Sequence, residues 1–235
     1  MRVLGLSFTS HDASSTLVED GKIIAACEEE RLNREKHTKK FPTSSLEYCL
    51  KEGNTNINEI DQIALFVDPR EQYKIVAYNL FQGFPASLLY VPYGLEIMRK
   101  RHSMEKIVRD TLKPNSASIV YVNHHLAHAA SAFYPSTFET AGILTIDGRG
   151  EYETITICKG EGTRIQKILR VTYPHSIGYL YSMITKYLGF RPHHDEYKVM
   201  GLSAYGSQTF CKDFSQLAYF DEKNRVWSAY HHSFR

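Results

Sequence analysis

The chain has 235 residues, 43% of them hydrophobic, and a formal charge of +2 from 28 basic and 26 acidic side chains. That composition excludes a disordered or low-complexity chain. So small a charge also excludes a protein held on nucleic acid by phosphate neutralisation, which needs a basic stripe.

In chain order, residues 2–8 form an apolar run followed by a polar turn at 9–14. Residues 15–18 and 22–27 flank Asp20-Gly21, a hairpin signal, so the first 27 residues read as a three-stranded meander. The segment 28–42 is a dense charge run, read as a solvated face or as a cluster of Arg31, Arg34 and Lys36 facing an anion. Ser44 and Glu47 match a capping box, with Leu46, Cys49 and Leu50 as the apolar face and Gly53 as the stop. A buried strand is expected at 63–67 and a helix over 86–112, breaking near Pro92 and Gly94. Another strand at 118–122 leads through Asn123, a good N-cap, into a helix at 124–133 that Pro135 ends. The pattern of the first meander then returns. Apolar runs at 141–146, 152–158 and 165–171 are separated by turns at 147–150 and 159–162, and an amphipathic helix at 177–188 closes at Gly189. A strand pair is expected near 217–220 and 225–230. A meander duplicated about 140 residues apart implies two similar lobes, 1–140 and 141–235, in an α/β fold.

The most apolar stretch, 81–97, is interrupted by Gln82, Gly83, Pro85, Pro92 and Gly94, so no membrane span is expected. The N-terminus turns polar after eight residues, too early for a signal peptide. The four cysteines are spaced at 22, 109 and 53 residues without a CxxC pair, which suits a reducing, cytoplasmic setting.

Chemistry concentrates in NHHLAHAASAF, 123–133. His124 and His128 lie four apart and share a helix face; His125 and His128, three apart, do so as well, and periodicity does not choose between them. Asp147 follows the first strand of the second meander, beside Gly148 and Gly150. Two imidazoles and a carboxylate suit iron, manganese or zinc with positions left open. In the first meander's turn, His11 beside Asp12 is a candidate base near neutral pH. Lys198 and the glycine-punctuated run through Gly201 offer an ammonium and backbone N–H groups near phosphate, without either standard phosphate-loop pattern.

Taken in order, VLGLSFTSHDAS, EEERLNREKH, NHHLAHAASAFY, ILTIDGRGE and EYKVMGLSAYG resemble the N-terminal part of the O-carbamoyltransferase family, up to about Gly206. The resemblance implies an actin-like ATPase (ribonuclease H-like) fold: two duplicated lobes around a cleft, similar to the tRNA threonylcarbamoyl-transfer protein. In the family a separate domain makes carbamoyl-adenylate from carbamoyl phosphate and ATP, and the lobes pass the carbamoyl group to a hydroxyl acceptor with bound iron(II). Carried over, the metal ligands fall on His124, His128 and Asp147, drawn from opposite lobes. His11 and Asp12 fall beside the acceptor hydroxyl, and Lys198 and Gly201 near the nucleotide. Family members are more than twice as long, which implies a second lobe that stops early, with a further ligand and the adenylate-forming domain outside the chain. A missing C-terminal half or partner chain is therefore an expected partner, beside a small-molecule or sugar acceptor. Two other readings are a non-catalytic metal- or nucleotide-binding fragment and a tRNA threonylcarbamoyl transferase.

Overall fold

The computed structural model describes residues 1–82, 84–85, 88–89, 91–221 and 226–229. The chain divides into two compact units, Met1–His124 and His125–Arg235.

The first unit opens with β1 (Arg2–Ser7), β2 (Ser14–Glu19) and β3 (Lys22–Glu28), paired antiparallel in sequence order. Gly21, at φ 79, makes the tight return between β2 and β3 that the Asp-Gly signal predicts. After α1 (Glu29–Asn33) and α2 (Thr43–Glu52) the chain adds β4 (Gln62–Leu65), parallel to β1. It continues through α3 (Gln72–Gln82) and α4 (Val91–Leu112) to β5 (Ser118–Tyr121), parallel to β4. The resulting order, β3-β2-β1-β4-β5, is a meander extended by two parallel crossovers, an α/β sheet as expected. Leu4, Leu6, Leu17, Ile63 and Leu65 of the sheet join Leu46 and Cys49 of α2 and Met104 and Val108 of α4 in one buried cluster. Full burial of each such aliphatic side chain is worth about 1.5–3 kcal/mol, which fixes the strand faces.

Two local expectations change. Ser44 does not cap α2, which begins at Thr43 without a side-chain cap of its own. Instead the buried Glu29 carboxylate accepts from the Ser44 and Ser45 N–H groups at 3.1 and 2.7 Å, a cap delivered from α1. Burial raises the Glu29 pKa, but these hydrogen bonds outweigh it and leave the carboxyl below its usual range. The helix expected over 86–112 starts at Val91, with Pro92 in its first turn, where a missing N–H does no harm. Its predicted start lies partly outside the described residues. The helix α3 preceding it carried no clear sequence signal.

The second unit begins with α5 (His124–Phe133), less its first residue, followed by β6 (Thr140–Ile146), β7 (Glu153–Glu161) and β8 (Arg164–Thr172), again an antiparallel meander in sequence order. Both meanders carry a register irregularity between their second and third strands. Ala129 and Phe133 of α5 pack on Ile143 and Cys158 of this sheet. A Cβ on Gly160 would come within 2.7 Å of the Phe133 ring, so only glycine lets the helix lie so close. This packing explains why the division falls at 124/125, whereas the repeat alone suggested about 140: α5 is bound to the strands that follow it. Beyond them lie α6 (Ile177–Tyr187), α7 (Glu196–Leu202), α8 (Cys211–Leu217) and the strand pair β9 (Ala218–Asp221) and β10 (Val226–Ala229). Ser176 caps α6 by accepting from the Tyr179 N–H, and Gly189 follows at φ 88. Among the described residues no helix is long and apolar enough to cross a membrane.

Candidate metal centre

Helix α5 sets His125 apart from His124 and His128. His125 is fully buried. Its Nε2 lies 3.0 Å from the Glu153 carbonyl oxygen and its Nδ1 lies 2.7 Å from Thr145 Oγ1. A carbonyl only accepts, so Nε2 bears the proton; in the neutral ring Nδ1 accepts from the Thr145 hydroxyl. Thr145 bonds Thr156 in turn at 2.7 Å, so His125 anchors the helix to β6 and β7 and has no valence left for a ligand.

His124 and His128, one turn apart, project from the helix toward the turn after β6. Ligand atoms of His124, His128 and Asp147 lie within 4.8 Å of one another. His128 Nε2 and Asp147 Oδ2 are 3.5 Å apart, both partly exposed. That is long for a hydrogen bond but close to the edge of a tetrahedron with metal bonds of about 2.0–2.2 Å. The donor set, two imidazole nitrogens and a carboxylate oxygen, fits a divalent ion of the iron, manganese or zinc type. The interaction with the Asp147 carboxylate outweighs partial burial and raises the His128 pKa above the ordinary imidazole value.

Asp147 is held by the element that follows the meander, which no motif pointed to. Its Oδ1 accepts from the Gly148 N–H at 2.6 Å, and the Ser176 hydroxyl donates to the Gly148 carbonyl at 2.6 Å. Gly178, in the first turn of α6, faces the same peptide. A Cβ there would sit 2.5 Å from the Gly148 nitrogen and 2.7 Å from the Asp147 carbonyl carbon and oxygen. All three are backbone atoms, so the turn itself would have to move. Gly178→Ala is therefore expected to weaken Co²⁺ binding about tenfold, a loss typical when a ligand's support is disturbed. Calorimetric titration of a variant with native circular dichroism checks this; an unchanged affinity would show that the glycine does not position Asp147.

The other candidates take these places. His11 is exposed and its Nδ1 lies 2.7 Å from Asp12 Oδ2, in the turn after β1. The Asp147 turn follows β6, so the two candidate turns occupy the same position of the repeated meander. Lys198 is drawn to the buried Asp195 carboxylate at 3.0 Å, where Arg191 and His194 also bind. Together the Arg191 guanidinium and N–H, the Lys198 ammonium and the His194 ring hold the Asp195 carboxyl far below its usual range. The ammonium of Lys198 thus has a structural partner in the residue preceding its own helix, and Gly201 is exposed with open space around it.

A sequence model described as "Carbamoyltransferase N-terminus" matches residues 2–230. An uncharacterized protein of Synechocystis, sll1178, is 36% identical over 218 residues, which cover 88% of this chain and 35% of that protein. The nodulation protein NolNO of Sinorhizobium fredii is 35% identical over 209 residues, covering 89% of this chain and 30% of that protein. The chain thus spans about a third of the length of these relatives. Among solved structures, YeaZ from Pseudomonas aeruginosa aligns over 74% of this chain and 66% of its own, at 14% identity and a TM-score of 0.36.

Proposed function

The chain belongs to the carbamoyltransferase N-terminus family, and from that membership we propose that it forms part of an O-carbamoyltransferase. The reaction is transfer of a carbamoyl group from ATP-derived carbamoyl-adenylate to a hydroxyl of a small-molecule or sugar acceptor. The observation that carries this reading is the convergence of His124, His128 and Asp147 in a chain matched by the family almost throughout.

These three residues would hold a divalent ion, iron(II) by family resemblance. When bound, that ion supplies a fixed positive charge that polarises phosphoryl or carbamoyl oxygens and orients them. The chain's own groups do the rest. The Asp12 carboxylate, which only accepts hydrogen bonds when ionised, keeps the proton of His11 on Nδ1 and turns the lone pair of Nε2 outward. As the acceptor oxygen bonds to the carbamoyl carbon, its proton passes to His11 Nε2. The bond from that carbon to the phosphate oxygen breaks, and AMP leaves. Asp12 then stabilises the imidazolium. General-base assistance of this kind is worth about 10²–10⁴-fold in rate.

The test supplies the donor directly, because the chain is a third of its relatives' length. Purified chain is given preformed carbamoyl-adenylate and a panel of sugar hydroxyl acceptors, and AMP is followed by chromatography. The expected result is acceptor-dependent AMP release that His11→Ala lowers at least about 100-fold. AMP release indifferent to both acceptor and His11 would overturn the reading.

A further inference from the structure

The charge run at 28–42 faces more than solvent. Its His37 places Nδ1 2.8 Å from Asp12 Oδ1, while His11 holds the other oxygen, Oδ2, at 2.7 Å. One carboxylate is thus bracketed by two rings. Both partners sit on left-handed backbone, Asp12 at φ 57 and His37 at φ 53, a conformation that non-glycine residues adopt only when their surroundings enforce it. The enforcement is visible. The Glu30 carboxylate accepts from the His37 N–H at 2.9 Å. Around it, three backbone hydrogen bonds tie the 9–13 turn to 29–39: Thr9 N–H to Lys39 O, Ala13 N–H to Thr38 O and Glu29 N–H to Ala13 O, all 2.8–3.1 Å. Partial burial raises the Asp12 pKa, yet the bonds from His11 and His37 outweigh it and leave the carboxyl below its usual range.

We propose that His37 is a positioning residue for the transfer reaction: through Asp12 it fixes the tautomer and orientation of His11. The inference rests on the reading of His11 as the base. The physical reason is the exposure of the pair. His11 has 68% of its side-chain surface exposed and Asp12 40%, and a single exposed hydrogen bond between them is too weak to hold one geometry. With only His11 attached, the carboxylate can rotate and offer either oxygen to water. A second imidazole on the other oxygen, from a residue whose backbone N–H is held by Glu30, fixes the carboxylate plane. The Nδ1–H of His11 then has one acceptor in one place, and its Nε2 lone pair has one direction. This is the logic of an aspartate orienting a catalytic histidine, with one more member.

The test reads the His11 ring by ¹⁵N NMR, alongside AMP release from carbamoyl-adenylate. The His37→Asn variant is suitable because asparagine tolerates left-handed backbone. In the unsubstituted chain His11 is expected as the Nδ1–H tautomer. Asp12→Asn returns it to the mixture of a free imidazole, and His37→Asn shifts it part of the way. The same His37→Asn chain loses about tenfold in kcat with KM held within about twofold, since the lost effect is on the reacting geometry and not on binding. A native-like His37→Asn chain whose His11 tautomer is unchanged would overturn the proposal. So would stoichiometric Zn²⁺ displacing the His37 Nδ1 proton, because ligand atoms of Asp12, Glu30 and His37 also lie within 4.8 Å of one another and would then constitute a metal site instead. The NMR arm needs no carbamoyl donor. A coupled tautomer in a chain that transfers nothing therefore upholds the link from His37 to His11 and rejects only the assigned reaction.

Discussion

Alanine in place of His128 is expected to lower Co²⁺ affinity by more than about 100-fold, beyond the tenfold to hundredfold that follows loss of a ligand's supporting partner. With His128 gone, only His124 and Asp147 remain of the set, and a two-ligand site exchanges its ion freely. The comparison that makes the result specific is His125→Ala. Its ring is spent on Thr145 and the Glu153 carbonyl, so metal stoichiometry should be unchanged in whatever protein remains folded. Binding should also fall as the solution is acidified. A ligating imidazole must be deprotonated, and Asp147 raises the pH at which a proton competes for His128. Without metal the sign reverses: the His128–Asp147 pair stabilises the fold below the ordinary histidine pKa and loses that effect as pH rises through the raised one. Titration of Co²⁺ at several pH values, read by its visible absorption, checks both statements. Equal affinity in His128→Ala and the unsubstituted chain would remove the metal centre.

The same His125→Ala substitution should produce the largest loss of stability, about 3 kcal/mol or more, seen as a lower urea midpoint. Two effects add. The ring is fully buried between α5 and the sheet, so its removal leaves a cavity in a unit with a small apolar cluster. It also removes one hydrogen bond, worth about 0.5–1.5 kcal/mol, from each of the Thr145 hydroxyl and the Glu153 carbonyl, the latter keeping only the Gly150 N–H at 2.9 Å. Thr145 can still bond Thr156, which limits the damage on that side. By contrast His128→Ala, at a half-exposed position, should move the midpoint by less than about 0.5 kcal/mol. Adjacent turns of one helix thus separate into a residue that holds the fold and a residue that holds the ion. Similar urea midpoints for the two variants would contradict that division.

How much of this was readable beforehand varies from element to element. The first meander was legible because period-2 apolar runs and the Asp20-Gly21 turn specify register locally. The second was legible for the same reason, although the repeat suggested a division near 140 where the compact units divide at 124/125. The α2 cap was misread because Glu29, which supplies it, lies 15 residues upstream of Ser44 and reaches it only once α1 and α2 pack. Helix α3 went unseen since its weakly periodic sequence, with Lys74 as its one charge, gives no face to detect.

The sequence by itself determined the chemistry available: which residues are apolar at alternating positions, where glycine permits a reversal, and which imidazoles and carboxylates exist. It narrowed the candidate metal ligands to His128 with either His124 or His125 and a turn aspartate, because residues three and four apart share a helix face. Only the tertiary structure showed His125 buried and fully hydrogen-bonded, since that depends on which face of α5 meets β6 and β7. It likewise decided that Gly178 buttresses Asp147 and that His37 reaches Asp12. Those pairings join residues 25 to 31 positions apart, and no local rule relates them; they come into being when the chain closes its hydrogen bonds and buries its apolar faces together.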